Sequence, residues 1–233
     1  MYQKTIELYG DGIGKVEYLS HNGTDLTIVN SARVSFGVEK EELDARDKRL
    51  IKYLIKHRHT STLEHNNLTL RFTVPLFVRS QHHRHRTWSY NEISRRYTDV
   101  NLQFYEPKLF RTQHESNRQA SNADELNNPV LSCGSDCDEM VEMHHQMSLD
   151  LFNRMIDAGV CREQARGVLP QNLYTTYWGT VNLNNLLKFI DLRIHEGAQW
   201  EIIQVAKACL EIAEDLWPIT VGSYQEIRGK SDD

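Results

Sequence analysis

The chain has 233 residues, a formal net charge of −5, 39% hydrophobic and 25% charged residues. This composition fits one ordinary globular domain, residues 1–233, because no Gly/Ser- or Pro-rich linker divides the chain. The acidic balance argues against general nucleic-acid binding, and no apolar run approaches the roughly 20 residues of a membrane span.

The N-terminus lacks an apolar signal core, so a cytoplasmic protein is expected, with Cys133, Cys137, Cys161 and Cys209 as free thiols. Short strands are predicted up to Asn30, including residues 25–30. Gly10, Gly12 and Gly14 read as a hairpin turn rather than a phosphate loop, since no helix start follows them. A helix is predicted over 39–57, with Leu43, Leu50, Ile51, Leu54 and Ile55 on one face. Residues 67–74 alternate as a strand with one buried face. Pro75 opens a helix toward His85, expected to turn Leu76, Phe77 and Ser80 inward and to present Gln81, Arg84 and His85 beside them.

Residues 88–97 read as a loop, and 110–138 as a long polar surface loop. A helix over 140–156 carries Met143, Met147, Leu151 and Met155 at helical spacing, a stripe read as core, with Gly159 as its C-terminal cap. Beyond it come a short helix over 162–168, a strand over 173–181 with Tyr174, Thr176, Trp178 and Thr180 on one face, and helices over 183–194 and 199–216. Strands without a regular strand–helix–strand repeat predict an α+β fold.

The segment from Arg84 to Tyr97 concentrates chemistry. It holds Arg84, Arg86, Arg95 and Arg96 with a single acid, Glu92, and Arg79, Gln81, His82 and His83 lie just upstream. Two like charges about 4 Å apart repel by roughly 4 kcal/mol at an intermediate dielectric, so these arginines face water or a polyanion. Arginine is used throughout in place of lysine, and Ser89, Asn91 and Ser94 add donors, which favours an anion site. His82, His83 and His85 point in different directions along a helix and have no Asp or Cys nearby, so no metal is expected. Cys133 and Cys137 likewise lack a second ligand pair.

Arg84-His85-Arg86, seven residues, then Ser94 resembles the signature of the flavin-dependent thymidylate synthases. The likeness continues through Tyr90-Asn91-Glu92 and Arg96-Tyr97. Further blocks agree, in order: 31–36, 59–65, 165–170 with 172–174, and 191–193 with 198–201. The resemblance implies a central, mostly antiparallel sheet packed with helices. It implies conversion of dUMP to dTMP with methylenetetrahydrofolate as carbon donor, bound FAD as hydride carrier and NADPH as its reductant. It implies a homotetramer with shared active sites.

By the same resemblance Arg193 is the catalytic residue, polarising the uracil ring in place of a cysteine nucleophile. Gln81, His82, His83, Arg84, Glu92, Ile93, Ser94, Arg95, Arg96, Arg166 and Arg193 match dUMP positions. His59, Ser61, Arg84, His85, Arg86, Glu92, Asn182, Asn184 and Lys188 match flavin positions, with Lys188 where an asparagine is usual. Gly197 stands where a histidine is often found.

Overall fold

The computed structural model describes residues 2–228. Strands β1 (Thr5–Glu7) and β2 (Lys15–Asn22) make an antiparallel hairpin, closed by the Leu8 N–H donating to the Gly14 carbonyl at 2.9 Å. Gly10 and Gly12 in its turn adopt φ of 70° and 72°, a region that favours glycine. Helix α1 (Asp25–Arg33) follows, where a strand was expected. Thr24 and Thr27 form a reciprocal cap, and Ile28 and Val29 are buried together on one side. Their β propensity is overridden by that cap and by burial. Helix α2 (Ala45–Lys56) begins six residues later than the predicted 39, where Asp44 accepts from the Arg46 and Asp47 N–H groups.

A 3-10 turn over Thr60–His65 leads to β3 (Asn67–Pro75) and α3 (Leu76–His82). Helix α3 buries Val78 and His82, and Ser80 faces solvent, contrary to expectation. Strand β4 (Ser89–Glu92) occupies part of the expected loop. Residues 110–138 are not one irregular loop either. They hold an antiparallel hairpin, β5 (Phe110–Gln113) and β6 (Ser121–Asn127), and then a tight turn into α4 (Cys137–Asp157). Helix α4 buries His145, Ser148 and Phe152, whereas Met143, Met147 and Leu151 are exposed, so the methionine stripe is not core.

Gly159, at φ 84°, ends α4 as predicted. Helix α5 (Arg162–Ala165), β7 (Tyr174–Asn182), α6 (Leu183–Arg193), α7 (Trp200–Leu216) and α8 (Pro218–Arg228) complete the chain. The sheet order is β1-β2-β3-β7-β4, antiparallel throughout. One face, with Leu68, Leu70, Phe72, Val74, Tyr177 and Val181, packs on α6 and α7 as an α+β core. The other carries Thr69–Thr180 and Thr73–Thr176 hydroxyl pairs, the Glu17–Arg71 ion pair, and Trp178 at 53% exposure. No helix among the described residues is long and apolar enough to cross a membrane.

Candidate active site

Three elements converge at one edge of the core. Helix α3 ends at His82, α6 ends at Arg193, and α7 begins at Trp200. The Arg193 guanidinium donates through Nε to His85 Nε2 at 3.0 Å and through Nη2 to the Gln81 carbonyl at 3.1 Å. No carboxylate pairs with Arg193 among the described residues. Burial pushes its pKa below the ordinary guanidinium value. Burial, then the Arg193 charge, pushes the His85 imidazole down to about 4. His85 is therefore neutral at pH 7. Its Nε2 accepts from Arg193, so the ring proton sits on Nδ1.

His82 is wholly buried. Its Nδ1 and the Tyr177 hydroxyl are 2.8 Å apart, and its ring lies among Phe72, Trp88 and Phe189 with centroids 4.6–4.8 Å away. Desolvation holds it neutral. Its side chain has no exposed surface here, unlike its neighbours among the expected nucleotide contacts. It props the turn that carries the next residues. His83 stacks on Tyr90 at 4.1 Å, while Arg84 and Arg86 project into solvent.

The remaining nucleotide candidates separate. Glu92 accepts from Arg79 Nε with both oxygens, at 3.0 and 2.9 Å, and from the Thr175 hydroxyl at 2.7 Å. Arg96 pairs with Glu163 at 3.4 Å, and Arg166 donates to the Glu163 carbonyl at 3.4 Å, so residues 70 positions apart share one exposed patch. The Ser94 hydroxyl accepts from the Arg96 N–H at 3.3 Å. Arg95 turns away. Its guanidinium donates to the carbonyls of Val100, Asn101 and Tyr174 at 2.8, 3.4 and 3.3 Å. With Ile93 it lines a groove on the outer sheet face. The Arg95 and Ile93 side chains thus lie away from Arg193, which leaves the expected nucleotide contact at Arg95 to its backbone.

The flavin candidates divide: His85, with Arg84 and Arg86 beside it in the chain, lies against Arg193, whereas Asn182, Asn184, Lys188, Ser61 and His59 gather toward the other end of α6. Asn182 caps that helix by accepting from the Asn185 N–H, and Asn184 donates to Glu64 at 2.8 Å. Asn184 and Lys188 line a cavity of about 590 Å³ with Lys56, Arg58, Thr60, Leu63 and Leu187. Ser61 and His59 flank it on the adjoining 3-10 turn. Arg58 holds φ 56°, a strained region for a non-glycine residue. From Asn184 to Arg193 the helix rises roughly 13 Å. Among the described residues no group of three His, Cys, Asp or Glu side chains is placed to hold a metal.

Sequence reasoning missed Gln199, Glu201 and Arg111 as site neighbours. Gln81 Nε2 donates to Gln199 Oε1 at 2.5 Å, Gln199 Nε2 donates to Glu201 Oε2 at 2.9 Å, and Arg111 grips both Glu201 oxygens at 2.9 Å. Gln199 and Glu201 lay inside a matched block, which was the available signal. Arg111 lay in the segment read as a loop and had none.

Comparison with known proteins places the chain in a family. The model of the thymidylate synthase complementing protein family matches residues 17–219. The chain belongs to that family. It is 39% identical over 213 residues to a flavin-dependent thymidylate synthase of Thermus thermophilus, covering 91% of this chain and 76% of that one. It is 36% identical over 219 residues to that of Thermotoga neapolitana, covering 94% of each. Among solved structures, the UMP/dUMP methylase PolB from Streptomyces cacaoi bound with 5-Br dUMP superposes with a TM-score of 0.79 at 31% identity, over 95% of this chain and 97% of that one. Lys188 is exposed on α6, and Gly197 lies just beyond the end of that helix.

Proposed function

We propose that this chain is a flavin-dependent thymidylate synthase that methylates dUMP at C5 of the uracil ring. One observation carries the reading: Arg193 is a half-buried guanidinium held by a neutral imidazole and a backbone carbonyl, with no protein anion beside it among the described residues. Such a charge is aimed, by default, at an anion that arrives. Uracil C5 becomes nucleophilic when negative charge on the N3/O4 side is stabilised, and a fixed cation in a water-poor site does that. His85 sets the plane of the guanidinium without neutralising it.

A cysteine route has less support. Cys209 is wholly buried and its thiol is pushed up by desolvation, the reverse of an activated nucleophile. Among the described residues no cysteine hydrogen-bonds to Arg193, His85 or Gln81. Arg96 and Arg166, together on one patch, suit the nucleotide phosphate.

The residues present fit FAD. The cavity beside α6 offers Lys56, Arg58 and Lys188 for a pyrophosphate, an amide at Asn184, and apolar walls at Ile55, Leu63 and Leu187. Lys188 supplies charge where an amide is usual. Bound FAD, reduced by NADPH, supplies the hydride, and methylenetetrahydrofolate supplies the carbon. The exposed Met143, Met147 and Leu151 stripe supplies an apolar face for self-association. This face supports self-association, and the family likeness makes a homotetramer with shared sites the assembly proposed.

The test is direct. Purified protein should be yellow, with flavin absorbance released on denaturation, and its gene should rescue a thymidine-requiring strain lacking its own synthase. A soluble, colourless protein that takes up no FAD and does not rescue overturns the reading.

A further inference from the structure

Glu201 is 3% exposed and its carboxylate only accepts hydrogen bonds. Arg111 Nη2 lies 2.9 Å from each of its oxygens, and the Tyr105 hydroxyl donates to Oε1 at 3.1 Å. Its Oε2 also receives Gln199 Nε2 at 2.9 Å. Because the carboxylate cannot donate, the Gln199 amide has one workable orientation, with NH₂ toward Glu201 and Oε1 toward Gln81. Gln81 must then turn its own NH₂ to Gln199, which it does at 2.5 Å. A flipped Gln81 would set carbonyl against carbonyl. Gln81 Oε1 is left without a protein donor among the described residues, on the residue whose backbone carbonyl receives Arg193.

Arg111 lies on β5, and its Nε donates to the Ser121 hydroxyl across the hairpin at 3.1 Å. Its guanidinium also lies over the Trp200 ring, 5.8 Å from the centroid. The hairpin therefore holds the start of α7, and the start of α7 holds Gln81.

We propose that Arg111 is a positioning residue that acts through Glu201 and Gln199. It orients the Gln81 amide to offer its carbonyl oxygen to a hydrogen-bond donor on the nucleotide, the uracil imide N–H or a sugar hydroxyl, and not to its phosphate. This rests on the dUMP reading above.

Equilibrium dialysis of flavin-loaded protein tests it, with dUMP, N3-methyl-dUMP and the 3′-deoxy analogue of dUMP as probes. Arg111→Met should weaken dUMP binding roughly tenfold, the loss of about one oriented hydrogen bond, while FAD content stays at the wild-type level. Arg111→Lys should recover most of the affinity. The analogue lacking the group that Gln81 meets should bind wild type weakly and lose little more in Arg111→Met, which names the donor. Unchanged dUMP binding in Arg111→Met, or equal losses for all three probes, overturns the proposal.

Arg111→Met leaves a buried carboxylate unpaired, so the double variant Arg111→Met with Glu201→Gln removes that charge while leaving the relay without its fixed direction. It should fold and still bind dUMP weakly; wild-type affinity there also overturns the proposal. Failure of the wild-type protein itself to bind dUMP overturns the nucleotide reading, a result distinct from failure of the relay.

Discussion

At the scale of single residues, the contact between Arg193 and His85 makes opposite demands on two ordinary side chains. The arginine stays charged despite partial burial, and the histidine stays neutral because of it. Arg193→Ala should abolish dTMP formation while most FAD remains bound; full turnover, or loss of FAD with turnover retained, would contradict its role. The same variant should raise the His85 pKa from about 4, since it removes a repelling charge, and NMR titration of the ring reads this. The sign for stability follows. The folded His85 binds its proton below the ordinary 6.5, so between pH 6.5 and about 4 the unfolded chain holds more protons. Stability should fall as pH drops through that window, and less so in Arg193→Ala. Arg166→Ala should weaken dUMP binding by roughly ten- to a hundredfold, the range for a charge-assisted contact; an unchanged dissociation constant removes it from the phosphate patch.

At the scale of elements, the instructive case is α1. Leu26, Ile28 and Val29 read as strand, yet residues 25–33 are helical. Beyond the Thr24–Thr27 cap, Asp25, at 5% exposure, ties this helix to the rest of the fold: its carboxylate accepts from the Ile219 and Thr220 N–H groups at 3.1 and 3.0 Å. It sits in the first turn of α1 and caps the first turn of α8, a helix that follows Trp217-Pro218 and lies past the last predicted element. Asp25→Ala should cost about 2–3 kcal/mol by stranding those donors, lowering the melting temperature by roughly 4–10 °C. Calorimetry showing no shift would mean that α8 docks without it. By contrast, β3, β7, α6 and α7 were legible within one or two residues. Each buries a regular apolar face, and periodicity reports burial directly. The β5–β6 hairpin was not, because its pairing joins polar residues such as Thr112, Gln113 and Asn122 that carry no alternation.

At the scale of the whole molecule, the exposed apolar residues fall outside the core logic of one chain. Phe36 is 82% exposed and Met147 62%. Met143, Met147 and Leu151 recur every fourth residue along α4, which is an apolar seam left exposed by the described residues. The helical spacing was right and the burial was wrong, since periodicity marks a face and not what covers it. If the proposed tetramer forms through this seam, Met147→Glu should give smaller species in analytical ultracentrifugation, and should lower FAD retention if sites are shared. An unchanged sedimentation coefficient would move the association surface elsewhere, with the outer sheet face around Trp178 the next to examine.

Taken alone, the sequence determined the α+β class, most core elements, the cluster of arginines and the family likeness. Each is written in local order: period-two and period-3.6 burial, caps, and motif blocks with their spacing. Tertiary structure decided which members of that cluster meet. It brought Arg193 to His85 across 108 positions, joined Arg96 to Arg166 through Glu163, enclosed His82, turned Arg95 to the opposite face, and recruited Arg111 from a segment with no motif. These outcomes depend on how α3, α6, α7 and the hairpin pack. Local spacing specifies the direction a side chain leaves its own element, but not what stands opposite it.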